Sequence, residues 1–488
     1  MSLRTPRRSS SAQATGRGAP RGSRHPADLR AGGEPFAAFA PIDPPPPGRR
    51  VAVVGGGIAG LAAAWRLADR HRVDIFEAAP TFGGHTVTVE VDRPPVGRQA
   101  VDMGFIVFNR RTYPRFCRLL DELGIDSEAS CMSFAVRDEA SGIEWNGESF
   151  GRLLARRRNA ASPRFWQLVT GILRFHREAV ELLGSDPSLT LGELLAQRRW
   201  SRSFVDLYLE PMMSALWSTE PGRVHDFPVR TLVAFLHNHG MLTIDDRPTW
   251  RVVRGGSSRY VEALLARLPA RQHAGASVER IHRPAGGGAE LRVDGAWRAF
   301  DHVILAVHAD RALALLDDPS IAEREVLGAL PFQRNVALLH TDRSAMPRRR
   351  RAWASWNVLR DPARPPGPPR VTYWMNRLQN LDGPRPNIAA TQCFVTLNRE
   401  EEIDPSTVHH RRVFHHPLFT ADSTAAKARW REISGRGTHY CGAYWGFGFH
   451  EDGMASGERV ARDLGATVPL GDVGIEPEQG ETDRGAAA

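Results

Sequence analysis

Residues 51–78, VAVVGGGIAGLAAAWRLADRHRVDIFEA, decide the fold of this chain. The apolar run 51–54 predicts a buried strand, the glycines after it predict a tight turn, and the Ala/Leu-rich stretch to about residue 69 predicts a helix. A second strand is predicted over 73–77. A strand, a helix and a second strand in this order are typical of a βαβ unit with a parallel sheet.

Three glycines in this stretch follow the spacing G-x-G-x-x-G. Gly55 permits the tight turn, Gly57 lets the backbone approach a pyrophosphate, and Gly60 allows the helix to pack closely on the strand. Ile58 and Ala59 lie between the last two glycines, where the free N–H groups and the dipole of a helix N-terminus favour phosphate. This part of the motif predicts a phosphate cradle.

Glu77 ends the second predicted strand. A carboxylate about 20 residues after the glycine turn accepts hydrogen bonds from a ribose 2′-OH and repels a 2′-phosphate. The motif therefore predicts a dinucleotide site, although it does not separate NAD from FAD. The chain contains one complete fingerprint, so a dedicated NAD(P)H domain is not expected.

Four further blocks accompany this motif in order. They are EAAPTFGGHT at 77–86, RGGSSRYVEAL at 254–264, DHVILAVHAD at 301–310 and GAYWGFGFHEDGMASGERVA at 442–461. Together they resemble the flavin-containing amine oxidase superfamily, with its phytoene-desaturase and protoporphyrinogen-oxidase relatives, over roughly residues 50–465. Within it the phrases VDMGFIVFN, ASWN, TYWMN and GFHEDG are most similar to a bacterial group described as predicted NAD/FAD-binding, amine-oxidase-like proteins.

The resemblance implies FAD as cofactor and assigns expected roles along it. The fingerprint glycines and Glu77 hold the ADP half, and a strand around Val278 passes the adenine. The N-terminus of a helix that carries Glu451, Asp452 and Gly453 approaches the ribityl chain and the N1/O2 edge of the flavin. Asp452 also fits the N-cap of this helix. The expected pyrophosphate residues are Gly83, Gly84 and His85, and the expected helix residues are Glu451, Asp452 and Gly453.

The implied fold is α/β, with a Rossmann-like FAD-binding domain of the glutathione-reductase type interleaved with an α+β substrate domain. The FAD domain is expected from residues 50–110, 245–320 and 432–470, and the substrate domain from residues 111–244 and 321–431. Residues 1–48 are expected to form a disordered basic leader, with a transit peptide or an over-long start as alternatives, and residues 471–488 a disordered tail.

Relatives that oxidise amines use a lysine near flavin N5, and here Asn335 is nearest to its expected place. Lys427 is the chain's one lysine and is predicted on an exposed helix, which argues against lysine-assisted amine oxidation. The sequence favours a dehydrogenase, desaturase or oxidase that passes hydride from a hydrophobic substrate to flavin N5. A flavin-dependent isomerase without net redox turnover and a true amine oxidase remain alternatives. His450 is a proton-transfer candidate or a structural hydrogen-bonding residue.

Aromatic residues in the glycine-rich stretch 442–453 and on the strands predicted between residues 331 and about 430 suit either an apolar pocket or ordinary core. Three nearby amides are expected to orient a substrate if the pocket forms. The aromatic residues are Tyr444, Trp445, Phe447, Phe449, Trp353, Trp356, Tyr373 and Trp374, and the amides are Asn357, Asn376 and Gln379.

Charge and composition exclude other classes. The chain has 64 Lys+Arg and 55 Asp+Glu, a formal net charge of +9, but the first 50 residues hold +6 of it. The remaining +3 gives no sign of a nucleic-acid partner. Four cysteines without CxxC spacing fit a reducing, cytoplasmic setting, and the histidine pairs at 409–410 and 415–416 complete no recognised metal site. The arginine run 348–351 is predicted as a solvated loop or as a peripheral contact with an acidic membrane if the substrate is lipid-like.

Overall fold

The computed structural model describes residues 42–186, 188–242, 247–383, 387, 389–435 and 437–469. Most of the predicted leader and the predicted tail lie outside these residues. No helix within the described part of the chain is long and apolar enough to cross a membrane.

Twenty strands are assigned within the described residues. In chain order they are β1 Arg50–Val54, β2 Arg72–Glu77, β3 Thr88–Arg93, β4 Gly97–Asp102, β5 Val107–Asn109, β6 Ser127–Ala129, β7 Phe134–Asp138, β8 Glu144–Asn146, β9 Trp250–Val253, β10 Arg271–Ala274, β11 Val278–His282, β12 Ala289–Val293, β13 Ala296–Phe300, β14 His302–Leu305, β15 Phe332–His340, β16 Trp356–Arg360, β17 Val371–Trp374, β18 Phe394–Leu397, β19 Val408–Pro417 and β20 Thr438–Tyr440.

Fifteen α-helices are assigned in the same residues, together with short 3₁₀ and π segments. The helices are α1 Ile58–Leu67, α2 Pro114–Leu123, α3 Phe150–Leu153, α4 Pro163–Ala179, α5 Leu191–Arg198, α6 Arg202–Phe204, α7 Glu210–Trp217, α8 Val229–Asn238, α9 Ser258–Arg267, α10 Ala309–Leu315, α11 Ile321–Gly328, α12 Met375–Leu378, α13 Ala421–Ala428, α14 Trp430–Ile433 and α15 His450–Asp463.

A five-stranded parallel sheet in the order β10-β2-β1-β14-β20 forms the first half of the molecule. Its central strand β1 pairs with β2 and β14, so that Val53 lies between Ile75 and Ile304. These side chains are buried, as expected for a parallel sheet covered on both faces. The predicted βαβ unit is therefore confirmed, and the sheet takes its strands from three separated stretches of chain.

Small residues let two helices pack closely beside this sheet. A Cβ on Gly457 of α15 would lie 2.2 Å from the carbonyl oxygen of Ala59 in α1, which no side chain could tolerate. Glycine at this place lets the two backbones touch. Because α1 and α15 both begin at the same end of the sheet, their N-termini face a common space.

A seven-stranded mixed sheet in the order β19-β15-β18-β17-β16-β7-β8 forms the second half. Its edge pair β15 and β19 is antiparallel, with Phe332 opposite Pro417 and Asn335 opposite Phe414. Helices α4 to α8 pack on this half through a core that includes Phe165, Phe204 and Leu232. Each half thus has its own large buried core.

Tertiary and local contacts fix two element boundaries. Residues 142–147 contain the strand β8, because Glu144 pairs with Arg137 of β7. The last helix begins at His450, because the Asp452 carboxylate accepts the N–H of Phe449 at 2.9 Å and stabilises the first turn.

Candidate active site

A cavity of about 480 Å³ lies between the parallel sheet and the seven-stranded sheet. At one end it is lined by Gly55, Gly56, Gly57, Glu77 and Gly84. Its other end is apolar and is formed by residues of the seven-stranded half. The apolar end, which we call the apolar limb, is lined by Met132, Leu216, Met241, Trp356, Tyr373, Leu378 and Leu397.

The glycines of the fingerprint have different surroundings. Gly55 has φ +111°, and a Cβ on it would lie 2.5 Å from the Ala306 carbonyl oxygen. A Cβ on Gly60 would lie 2.0 Å from the carbonyl oxygen of Gly55. On Gly57 the nearest atom would be the Cα of Gly84, at 3.9 Å. Gly55 and Gly60 are therefore needed by the fold, whereas the space in front of Gly57 belongs to the cavity.

The second glycine pair closes this cradle. Gly83 donates its N–H to the Gly56 carbonyl at 2.8 Å, and Gly83 and Gly84 both have positive φ. Two turns from different parts of the sequence thus present bare backbone to the same space. The arrangement fits the pyrophosphate of a dinucleotide, as the sequence predicts.

Glu77 lies where the sequence places it, at the cavity wall. Its carboxylate accepts the N–H of Gly56 and the N–H of Ala79, each at 2.8 Å. These bonds hold the side chain at the end of β2 and leave further lone pairs for a ribose hydroxyl. Ile58 and Ala59, at the start of α1, also line the cavity.

Val278 is not among the cavity-lining residues. It begins β11, which leaves the parallel sheet and joins the antiparallel sheet β11-β12-β13. The strand that extends the parallel sheet next to Glu77 is β10, where Ala274 pairs with Glu77. An adenine contact of Val278 stays a prediction without support from the position of its side chain.

His85 lines the cavity, but its ring packs toward the other half of the molecule. The ring centroid lies 5.0 Å from that of Phe414 and 5.6 Å from that of His416, both on β19. Burial holds the pKa of His85 well below its usual value, and protonation of His416 or His308 would lower it further. The neutral ring is a poor counter-charge for a pyrophosphate. The pyrophosphate contact expected of His85 would therefore have to come from its backbone.

Four histidines form one side of the cavity, which we call the histidine wall. Burial lowers the pKa of both His308 and His416 to about 4, so both are neutral near pH 7. His308 stacks on Phe332, with ring centroids 4.5 Å apart. Sequence reasoning did not single out His308, although it follows the recognisable strand β14. The wall consists of His85, His308, His415 and His416.

Asn335 reaches the cavity through His416 and does not itself line it. Its Nδ2 donates to Nδ1 of His416 at 2.9 Å, and its Oδ1 accepts from Nδ2 of Asn398 at 2.8 Å. With this amide orientation Nδ1 of His416 carries no proton, so the neutral ring holds its proton on Nε2. Asn335 is therefore placed to orient His416.

His450 also lines the cavity and is held by a hydrogen-bond chain. Its ring stacks on Phe105, with centroids 3.7 Å apart, and its Nε2 lies 2.7 Å from the hydroxyl of Tyr260. That hydroxyl in turn lies 2.7 Å from Oγ1 of Thr86. Burial lowers the pKa of His450 to about 3. These contacts favour the structural reading of His450 over proton transfer.

The next three residues hold helices in place and do not line the cavity. Glu451 accepts the N–H groups of Arg115 and Phe116 at the start of α2, each at 3.0 Å. Asp452 is the third residue of α15 and not its N-cap, which is Phe449; its carboxylate accepts the N–H of Phe449 at 2.9 Å and so stabilises the helix start. A Cβ on Gly453 would lie 2.8 Å from Cγ2 of Ile58, so glycine allows α15 to approach α1. The helix N-terminus does reach the cavity, through its neighbours Gly448, Phe449 and His450.

The exposed position predicted for Lys427 is wrong. Its side chain turns inward, and Nζ donates to the Gly446 carbonyl at 2.6 Å and lies 4.2 Å from the ring centroid of Phe419. Burial lowers the pKa of Lys427 to about 7, although the nearby Asp452 carboxylate opposes the shift. Lys427 thus holds the turn around Gly446 beside the cavity, but Lys427 is not among the residues that line the cavity.

We expect Lys427 to make stability depend on pH. In the unfolded chain the amine binds a proton up to about its ordinary pKa of 10.5, whereas the folded chain releases it near 7. Between these values protonation favours unfolding, so the unfolding free energy rises with pH. Relative to Lys427→Met, the wild type should gain about 3 kcal/mol between pH 7 and pH 9.5. Denaturant titrations at both pH values measure this, and parallel pH profiles of the two proteins would contradict it.

The predicted aromatic pocket forms in part. Tyr444, Phe447 and Phe449 line the cavity, together with Trp356 and Tyr373. Trp353 and Trp374 instead pack together in a separate small core, and Trp445 belongs to the core of the parallel-sheet half. The predicted amides hold protein groups and do not line the cavity; these are Asn357, Asn376 and Gln379.

Among the residues described here, no group of three or more His, Cys, Asp or Glu side chains is arranged to hold a metal ion. His85, His308, His415 and His416 are near one another, and the ring of His85 packs on Phe414 while that of His308 stacks on Phe332.

Comparison with known proteins agrees with this site. Residues 58–465 match the family model described as flavin containing amine oxidoreductase. A protein of Mycobacterium tuberculosis named as a flavin-containing monoamine oxidase, AofH, is 28% identical over 293 residues, which are 56% of this chain and 59% of that protein. Coproporphyrinogen III oxidase of Mycobacterium bovis is 28% identical over 307 residues, 55% of this chain and 61% of the relative. The chain thus spans about three fifths of the length of these curated relatives.

Solved structures share the fold at lower identity. A CLA-producing fatty acid isomerase from P. acnes has a TM-score of 0.60 at 18% identity, covering 85% of this chain and 98% of its own. Cyclohexylamine oxidase from Brevibacterium oxydans IH-35A has a TM-score of 0.60 at 14% identity, covering 86% and 99%. The likeness confirms the predicted fold class.

Proposed function

We propose, on the premise that this chain belongs to the flavin-containing amine oxidoreductase family, that it is an FAD-dependent oxidoreductase that takes a hydride from a hydrophobic substrate. One observation carries the proposal. The cavity that begins at the bare backbone of Gly57 and Gly84 continues, without a break, into the apolar limb. A dinucleotide cradle and an apolar binding space therefore share one cavity between two halves of the molecule, where ligand sites commonly lie.

The cofactor of this family is a flavin, and the cradle fits FAD. The space in front of Gly57 is one that a Cβ would enter without meeting protein, and the start of α1 directs free N–H groups there. Gly57, Gly84 and Glu77 would hold the ADP half. When bound, FAD supplies a two-electron acceptor that takes hydride at N5.

The chain's own residues prepare the substrate end. The side chains of the apolar limb favour an alkyl or isoprenoid chain and exclude water. On the histidine wall, His416 is neutral and offers Nε2–H as its remaining donor, with Asn335 fixing the tautomer. Such a donor suits a polar end or a developing negative charge on the substrate better than a cationic amine.

Amine oxidation is the less favoured alternative. The superfamily's amine oxidases place a lysine beside the flavin, whereas here Lys427 is held by the Gly446 carbonyl away from the cavity lining. The neutral histidine wall also offers no carboxylate to attract an ammonium group. Isomerisation without net redox turnover uses the same cavity and is separated from oxidation by its product.

Product analysis tests this proposal. The FAD-loaded protein is incubated aerobically with long-chain fatty acids, their glycerolipid esters, isoprenoids and primary amines, and the products are analysed by mass spectrometry. We expect an apolar product lighter by two hydrogen atoms. A product of unchanged mass would assign isomerisation, and conversion of amines alone to aldehydes would replace the proposal with amine oxidation.

A further inference from the structure

Two arginine segments that are far apart in sequence meet at one surface of the seven-stranded half. The first is in the 3₁₀ segment Arg157–Ala161, and the second surrounds the 3₁₀ segment Arg350–Ala352. The basic cluster, as we call it, consists of the exposed side chains Arg157, Arg158, Arg348, Arg349 and Arg351.

Contacts around one buried glutamate bring the segments together. The Glu144 carboxylate accepts the N–H groups of Arg348 and Arg349, at 3.2 and 2.9 Å. The side chains of Arg156 and Arg158 both approach Gly142, which lies two residues before Glu144. Burial lowers the pKa of Arg156, and the positive charges of Arg158, Arg349 and Arg348 lower it further. The two segments are therefore close enough to repel each other.

The positive charge of the cluster is largely uncompensated. Arg348 pairs with Glu139 at 2.7 Å, and that glutamate also pairs with Arg137. Within the described residues, no carboxylate lies within 4.0 Å of the guanidinium groups of Arg157, Arg158, Arg349 or Arg351. Glu144 is 2% exposed and is directed inward. The surface thus presents several like charges without a matching acidic set.

An apolar stripe begins beside this cluster. Trp166, Leu173 and Val180 are 42%, 56% and 47% exposed, and the described residues contain only three other large hydrophobic side chains that are as exposed. Seven-residue spacing places the three on one face of α4 and its 3₁₀ extension, roughly 10 Å apart. The Trp166 indole donates to the Ala160 carbonyl at 2.8 Å, which joins the stripe to the segment that carries Arg157 and Arg158.

We propose that this face, the basic cluster together with the apolar stripe, docks on an anionic lipid bilayer. Guanidinium groups pair with lipid phosphates, and a tryptophan flanked by aliphatic side chains suits the boundary between headgroups and acyl chains. A nucleic-acid surface would use the arginines but would leave Leu173 and Val180 without a partner. The inference does not depend on the proposed reaction, because lipid binding is measured without turnover.

Vesicle co-sedimentation of the full-length, FAD-loaded protein tests the docking face. We expect binding to phosphatidylcholine vesicles that contain phosphatidylglycerol, weaker binding at high salt, and little binding to phosphatidylcholine alone. Arg157→Gln/Arg158→Gln should weaken binding about 30-fold. The matched control is Arg271→Gln/Arg324→Gln, which removes the same charge from exposed positions on the parallel-sheet half.

A second pair of variants tests the apolar stripe. Leu173→Ser should weaken vesicle binding about fivefold, because an exposed leucine loses part of its transfer free energy into the interface. Ile321→Ser is the matched control, since Ile321 is 77% exposed at the start of α11. Flavin absorbance of each variant verifies that it is folded.

Three results would overturn the inference. They are equal binding to neutral and anionic vesicles, equal binding of Arg157→Gln/Arg158→Gln and its charge-matched control, and binding to a single-stranded RNA oligonucleotide without binding to vesicles. The last result would assign the face to nucleic acid.

Discussion

Gly57→Val should fold normally and lose its affinity for FAD by about 100-fold, because branched methyl groups would fill the space of the pyrophosphate and overpacking costs a few kcal/mol. Gly57 has φ −78° and ψ 178°, which valine adopts readily. A Cβ there would find no protein atom closer than 3.9 Å. The variant therefore separates cofactor binding from folding. Isothermal titration of the apoprotein with FAD measures the affinity, and denaturant unfolding without FAD measures the stability.

Two comparison variants sharpen this result. Gly328→Val, at an exposed glycine with no atom within 4 Å of its Cβ position, should leave FAD affinity unchanged. Gly60→Ala should lower stability even without cofactor, because its Cβ would overlap the Gly55 carbonyl oxygen. Unchanged FAD affinity of Gly57→Val would contradict the placement of the cofactor.

Leu216→Arg should slow flavin reduction by substrate by about 100-fold and leave FAD bound, because an unpaired guanidinium is costly in an apolar space. Leu216 lies near the end of α7 and lines the apolar limb, away from the glycine cradle. The bound FAD is quantified by absorbance, and stopped-flow spectroscopy under anaerobic conditions measures the reduction rate.

Two control variants accompany Leu216→Arg. One conserves the side-chain volume at the same position, and the other adds the same charge at a distant, exposed position. Leu216→Met conserves the side-chain volume, so its flavin should be reduced by substrate at nearly the wild-type rate. Ile321→Arg adds the same charge at an exposed site and should also be unaffected. If substrate reduced the flavin of Leu216→Arg at the wild-type rate, the substrate would not use the apolar limb.

The sequence predicts the nucleotide end of the site better than the reaction end. Gly55, Gly57, Gly60 and Glu77 lie in one short stretch, and their tasks follow from local backbone geometry. The structure places each one where this geometry requires. The adenine contact of Val278 stays a prediction, because the sequence does not reveal that the chain leaves the parallel sheet after β10.

The reaction end depends on side-chain directions that the sequence does not reveal. The histidine wall brings together His308 before α10, two histidines of β19 and the turn at His85, so it exists only after the two halves pack. Lys427 lies in a polar, helix-forming stretch that predicts an exposed side chain, yet its amine turns inward and donates to the carbonyl of Gly446, 19 residues later. The resemblance places Glu451 near the flavin, whereas in the structure its carboxylate accepts the N–H of Arg115 at the start of α2. In each case a tertiary contact determines the role of the residue.

Anaerobic mixing of the FAD-loaded wild type with the apolar compounds used for product analysis tests the central claim most directly. If the chain transfers a hydride from a hydrophobic substrate to FAD, at least one of these compounds should bleach the oxidised flavin band in a single turnover, and primary amines should not. Persistence of the oxidised band with every apolar compound, while primary amines bleach it, would contradict this account.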